Sequence, residues 1–215
     1  MTGKLPKSAC VATHSEGAKL HAPAAARNAL VLTELVQKHA PAHGRALEIA
    51  SGTGQHMVAF ASATPQIAWH PTEIAAERLA SIDAYVSEAG LRNVAPALHL
   101  DATLPGWSDR FEPFDLAVLV NLMHLISGHA ARTLVEQAVQ SLAPGGRFVL
   151  YGPFKRGGQL TSEGDARFDA DLRRADPDIG YKNNEEVRAW LTSAGAGAIE
   201  TTEMPANNLA FIATR

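Results

Sequence analysis

Along almost the whole chain, segments with apolar residues every three or four positions alternate with short apolar runs. Residues 24–39 carry Leu30, Leu32, Leu35 and Val36, the spacing of one face of an amphipathic helix. Residues 45–50 then read as a strand, a helix is expected from about Gln55, and 67–72 read as a second strand. Residues 74–89 predict a helix stopped by Gly90, and 94–100 a third strand. The run FDLAVLVN, 114–121, is apolar throughout, as a parallel strand buried on both faces requires. A helix over 129–142 should stop at Pro144-Gly145-Gly146, ahead of a fifth strand at 147–151. In the more polar stretch 152–182, Phe168 and Leu172 mark one short helix, and 184–194 predict another, closed by Gly195. Two last strands, 198–203 and 209–213, flank the turn MPANN.

Strands alternating with helices build βαβ units and a parallel sheet. The last two strands are joined too closely for a crossover, so they must pair antiparallel as a hairpin. The expectation is an α/β fold with seven strands in a mostly parallel sheet, a C-terminal antiparallel hairpin and helices on both faces. No repeat or linker divides it, so one domain is expected over 22–215, with 1–21 as an N-terminal arm and 152–182 as a cover over part of the site.

Composition removes several classes of function. A chain of 215 residues, 46% hydrophobic, is long enough for one full core. A formal net charge of -3 leaves no basic footprint for nucleic acid. No window approaches the run of about 20 apolar residues that a membrane-spanning helix needs. The opening MTGKLPKSACVATHSEG lacks the apolar centre of a signal peptide. A single cysteine, Cys10, excludes an internal disulfide and fits a reducing cytoplasm. His39 and His43 are four apart, but Pro41 between them breaks the helix that would align them, so no metal site is expected.

The chemistry concentrates after the first strand, in LEIASGTGQH, 47–56. A strand followed by Gly-x-Gly can cradle a dinucleotide, a phosphate or the methyl donor S-adenosylmethionine. The dinucleotide pattern needs a small third residue where helix and strand pack; counted from Gly52 that position is Met57, and counted from Ala50 it is Gln55. A nicotinamide-dependent oxidoreductase is thus the weaker reading. Glu48 suits an ammonium group, which the methionine end of the donor carries, and repels a pyrophosphate. Gly52 and Gly54 let the backbone approach a ligand with no side chain in the way. Glu73 closes the second strand 21 residues after Gly52 and can accept from both ribose hydroxyls. A carboxylate at a helix N-terminus is also favoured without any ligand. Asp101, in LHLDAT, can accept from an adenine amino group, with Ala102 lending its backbone amide. Asn121 and Leu122 close the fourth strand and complete a series of polar strand ends, Glu48, Glu73, Asp101 and Asn121. Ligands of open α/β sheets bind beyond such ends, near the point where the strand order reverses.

Glu48-Ile49-Ala50-Ser51-Gly52-Thr53-Gly54 resembles the [D/E]-x-G-x-G-x-G loop of class I methyltransferases, with Ala50 at the first glycine. Further stretches are APAAARN, WHPTE, NLMHLI, GGRFVLYGPF, FDADLRRADPDIG and MPANN. Spread from about residue 22 to the C-terminus, they resemble the methyltransferase-like family known as domain of unknown function 938, which includes methyltransferase-like protein 26. The resemblance implies a Rossmann-like fold and S-adenosylmethionine as cofactor, with S-adenosylhomocysteine as product; it implies no particular substrate. It also implies that Arg27 and Asn28 cover the cofactor's carboxylate, that Ala50, Ser51 and His56 belong to the binding loop, and that Asn207 lies on the substrate side. Two departures stand out. Glu73 replaces the family's aspartate, and Glu163-Gly164-Asp165 stand where its pattern ends in asparagine.

Methyl transfer needs an in-line approach of a nucleophile, and a base only if the acceptor must lose a proton. His124, three residues past the fourth strand, is the candidate base, or else a histidine packed under the following loop. Tyr151, ending the fifth strand, either orients an acceptor or anchors the sheet. Asn207 sits in a turn, where asparagine is favoured for local reasons alone. Arg27 has the plain alternative of a surface residue. The leading expectation is a methyltransferase with a small-molecule acceptor; the alternative is a module that binds the cofactor without catalysis.

Overall fold

The computed structural model describes residues 12–215, so Cys10 lies outside the described residues. Two compact units divide the chain, residues 12–101 with Pro113–Leu119 and Ala102–Glu112 with Val120–Arg215. The first unit holds β1 (Thr13–His14), β2 (Leu20–His21), α1 (Pro23–His39), β3 (Gly44–Ile49), α2 (Gln55–Ala63), β4 (Ile67–Glu73), α3 (Ala76–Glu88), β5 (Leu98–His99) and nearly all of β6 (Phe114–Val120). The second holds α4 (Gly128–Gln140), β7 (Leu142–Pro153), α5 (Glu163–Ala175), α6 (Asn184–Ser193), β8 (Ala198–Met204) and β9 (Asn208–Thr214). Seven strands form a sheet in the order β5-β4-β3-β6-β7-β9-β8.

In the first unit β3 pairs parallel with both β4 and β6. The chain leaves β3 toward β4 and β5 and returns to β6 on the other side, so the strand order reverses at β3. Leu47, Ile49, Trp69 and Leu119 are fully buried, as strands covered on both faces demand. β5 is shorter than the seven residues expected. Pro96 has no N–H to donate, and what precedes it makes only an isolated bridge, Trp69 to Val94. Residues 12–21, placed in the expected arm, include the small β1–β2 sheet, and the Leu20 amide donates to the buried Ser81 hydroxyl at 2.8 Å.

In the second unit β9 pairs antiparallel with β7 and with β8. The expected terminal hairpin is there. β7 corrects the sequence reading: it starts at Leu142 and runs through Pro144-Gly145-Gly146, which was expected to be a stop. The chain end overrides that local signal, because the Gly145 amide donates to the Arg215 carbonyl (2.8 Å) and the Arg215 amide to Gly146 (2.9 Å). α5 has 13 residues, with Ser162 as N-cap accepting from the Asp165 amide, and buries only Asp169 and Leu172.

Candidate cofactor site and acceptor-side residues

β3 ends in Glu48 and Ile49, and the loop after it is shaped by positive backbone angles at Ala50 (φ 55), Gly52 (φ 63) and Gly54 (φ 93). The two glycines adopt these angles without strain, whereas Ala50 carries the cost of the left-handed region. They differ in surroundings. A Cβ added at Gly54 would lie 2.8 Å from Ile82 Cα, while one added at Gly52 would meet no heavy atom within 4 Å. Gly54 is therefore fixed by packing against α3, and Gly52 presents bare backbone.

Glu48 is 2% exposed, and its Oε2 is buried without a hydrogen-bond partner. Burial drives its carboxyl up to about 8; the Ser51 hydroxyl opposes this, and the Glu73 charge adds to it. A carboxyl at the carboxyl end of the switch-point strand is thus held mostly protonated at neutral pH. Such a group invites a cation. Glu73, 3% exposed, accepts from the Gly52 amide (3.0 Å) and from the Ile74 amide at the approach to α3 (2.8 Å), with Arg78 at 3.7 Å. The helix-terminus role is the one on view: Glu73 caps the approach to α3 and, with the same carboxylate, ties the glycine loop to β4. Asp101 follows β5, and the Leu100 amide before it donates to the Glu73 carbonyl at 3.0 Å.

Asn28, with its amide nitrogen facing inward, donates to the Ala24 and Ala25 carbonyls (2.9 Å each) and to His56 Nε2 (2.8 Å). Burial lowers His56 to about 4, so it is neutral near pH 7. The pair braces α1 against α2. Arg27 is exposed and has no ion pair or hydrogen bond with the described residues. Sequence reasoning missed Gln55 and Ser81. Gln55 Oε1 accepts from the Ala22 amide (2.7 Å) and the Thr53 hydroxyl (2.9 Å), and the Ser81 hydroxyl donates to the Thr53 carbonyl (2.8 Å). Both residues hold the loop to neighbours distant in sequence, which no local pattern reveals.

In the second unit the Asn121 amide donates to the Tyr151 carbonyl at 2.9 Å, and Asn121 itself is left-handed (φ 56), a conformation asparagine tolerates best among residues with a Cβ. Tyr151 is 2% exposed. The Ala102 carbonyl accepts from the Trp107 indole (3.1 Å), and Leu122 packs on the cluster of Leu125, Leu172, Ile179 and Tyr181. His124 is 5% exposed, with Nδ1 buried and unpartnered, and stands edge-on to Phe168 (5.7 Å) and Tyr181 (6.0 Å). Burial, and secondarily the Lys182 charge, lower it to about 3. A histidine so weakly basic is a poor proton acceptor until something else enters its surroundings. Asn207, exposed and left-handed (φ 60), donates to Asp165 Oδ2 at 3.1 Å. Asp165 also accepts from Thr161 (2.7 Å), Ser162 (2.8 Å) and the Tyr181 hydroxyl (3.1 Å). Its burial works to raise the carboxyl, but these donors hold it below its ordinary value. Although it departs from the family pattern, Asp165 ties α5 to the β8–β9 turn.

Known proteins share this architecture. An O-methyltransferase family protein from Burkholderia thailandensis superposes with a TM-score of 0.76 at 14% identity, over 89% of this chain and 57% of that one. Human N-acetylserotonin methyltransferase in complex with S-adenosylmethionine gives 0.73 at 13% identity, over 89% and 52%. Protein-L-isoaspartate O-methyltransferase 1 of Arabidopsis thaliana is 29% identical over 122 residues, 54% of this chain and 49% of that protein. The chain spans about half the length of these relatives. Its fold is the Rossmann-like fold of the class I methyltransferases. A family profile matches residues 19–215, and the chain accordingly belongs to the family described as protein of unknown function (DUF938).

Proposed function

We propose that the protein is an S-adenosylmethionine-dependent methyltransferase acting on a small-molecule acceptor. One observation carries the reading: the buried, half-unpartnered Glu48 carboxyl at the end of the switch-point strand. A polar group buried without a partner is costly, and an ammonium laid against Glu48 removes that cost by ionising it. The residues of the first unit fit the donor. Glu48 takes the ammonium, Arg27 the carboxylate, Glu73 the ribose hydroxyls and Asp101 the adenine amino group. The backbone of Ala50, Ser51, Gly52 and Gly54 lies against the ligand, with His56 and Asn28 bracing it. When bound, the sulfonium supplies an electrophilic methyl group. His124, Tyr151 and Asn207 are the acceptor-side candidates of the second unit, with 152–182 covering that side. No helix of the described residues is long and apolar enough to cross a membrane, and the single cysteine favours a reducing cytoplasm.

Calorimetry with S-adenosylhomocysteine and NADH side by side tests the cofactor. Binding of the first alone supports the proposal; binding of NADH alone replaces it with an oxidoreductase. Labelled methyl donor incubated with small-molecule pools then separates an enzyme from a module that only binds. Loss of transfer in His124→Ala or Tyr151→Phe, with cofactor affinity retained, assigns those side chains to the acceptor.

A further inference from the structure

Packing against aromatic rings accounts for the burial of His124 but not for its polar edge. Its ring is buried, its Nδ1 lacks any partner, and it donates and accepts no side-chain hydrogen bond among the described residues. Around it stand the edges of Phe168 and Tyr181, themselves edge-on at 6.2 Å, with Leu122, Leu125 and Leu172 beyond. Lys182, whose charge bears on the ring, is occupied by the carbonyls of Ile126 (2.7 Å) and Gly180 (2.9 Å). Buried nitrogens without a partner are rare in native proteins and call for an explanation, a catalytic role or a bound water or ion among them.

We infer that the acceptor is an uncharged, ring-bearing compound with a hydroxyl group, and that His124 receives the hydroxyl while Phe168 and Tyr181 read the ring. The inference rests on the methyl-transfer reading and names the substrate class of that site. A hydroxyl both donates and accepts, so it pairs with Nδ1 in either tautomer of the imidazole; an ammonium pairs with only one, and a carboxylate with only the other. Burial opposes any charged group brought beside the ring, acids included, and the Lys182 charge adds to this against protonated amines. Three rings already meet edge-on, and a flat fourth ring extends that arrangement with favourable quadrupole contacts. α5 supplies Phe168 and Leu172 to this wall, and glycines with positive φ stand on either side of it, Gly157 and Gly158 before and Gly180 after.

The probes are phenol, benzylammonium and benzoate, titrated into the full chain with and without saturating S-adenosylhomocysteine and followed by the ring-proton resonances of His124. Phenol should shift those resonances and bind at least about tenfold more tightly than either charged probe. Phe168→Ala should weaken phenol by about tenfold with the S-adenosylhomocysteine affinity unchanged, and Phe168→Leu serves if the alanine variant fails to fold. Equal binding of all three probes, no shift at His124, or phenol affinity indifferent to Phe168 would each overturn the inference. Failure of the cofactor reading looks different, because S-adenosylhomocysteine itself then does not bind, while the phenol titration without it still decides the subsite.

Discussion

Replacing Glu48 with glutamine separates the cost of an ionisable buried group from its use. In the folded chain the carboxyl stands at about 8, against an ordinary value of 4.5. Between those values the folded state keeps a proton that the unfolded chain has released, so wild-type stability falls as pH rises through the window. Each unit of separation is about 1.4 kcal/mol, which gives a loss of about 3 kcal/mol by pH 7 and about 5 kcal/mol above pH 8. Glutamine has nearly the shape of the protonated acid and does not titrate. Glu48→Gln should therefore match the wild type near pH 4.5 and exceed it increasingly toward pH 8. Urea denaturation followed by circular dichroism at pH 5, 6, 7 and 8 measures the gap, and other titrating groups cancel in the difference. The better-folded variant should nevertheless bind S-adenosylhomocysteine more weakly, since a neutral amide offers the ammonium an acceptor but no opposing charge. In the wild type, binding near pH 7 should release up to about one proton, read from calorimetry in buffers of different ionisation enthalpy. Parallel stability curves for the two proteins would refute the reasoning, as would undiminished affinity in the variant.

The two loop glycines should respond differently to alanine. Gly54→Ala combines a strained φ with a contact against Ile82 backbone and should cost about 2–4 kcal/mol, while Gly52→Ala should cost only about 1–2 kcal/mol yet weaken S-adenosylhomocysteine at least about tenfold; thermal denaturation and calorimetry on both variants check the contrast. His56 and His124 are held neutral below the usual histidine value, at about 4 and about 3, so acid destabilises the fold as the unfolded chain takes up protons that the folded chain refuses. In the Glu48→Gln background, these two rings should lower stability by about 2.4 kcal/mol between pH 6 and 5, and a flat profile by urea denaturation would contradict the burial of both rings. Arg156 donates to both Glu203 oxygens and to the carbonyls of Phe154, Asn207 and Asn208; Arg156→Ala should cost about 1–2 kcal/mol and raise hydrogen exchange across 204–208, measured by mass spectrometry.

Much of this was present in the sequence. Periods of 3.6 and 2 are local properties, so helices and strands appear in them directly, and the short MPANN turn could only join antiparallel neighbours. The acid-and-glycine loop was legible too, because the residue types alone state which backbone angles and charges are available there. Other features depended on partners far along the chain. The β9 position between β7 and β8, the continuation of β7 through Pro144-Gly145-Gly146 and the truncation of β5 all follow from which backbone groups find a partner across the sheet. So does the chemistry of single side chains. An identical glutamate or histidine would titrate normally in water, and only the burial imposed by the tertiary structure leaves Glu48 protonated and His124 without a partner, since desolvation depends on what surrounds a group in space and not on its neighbours in sequence.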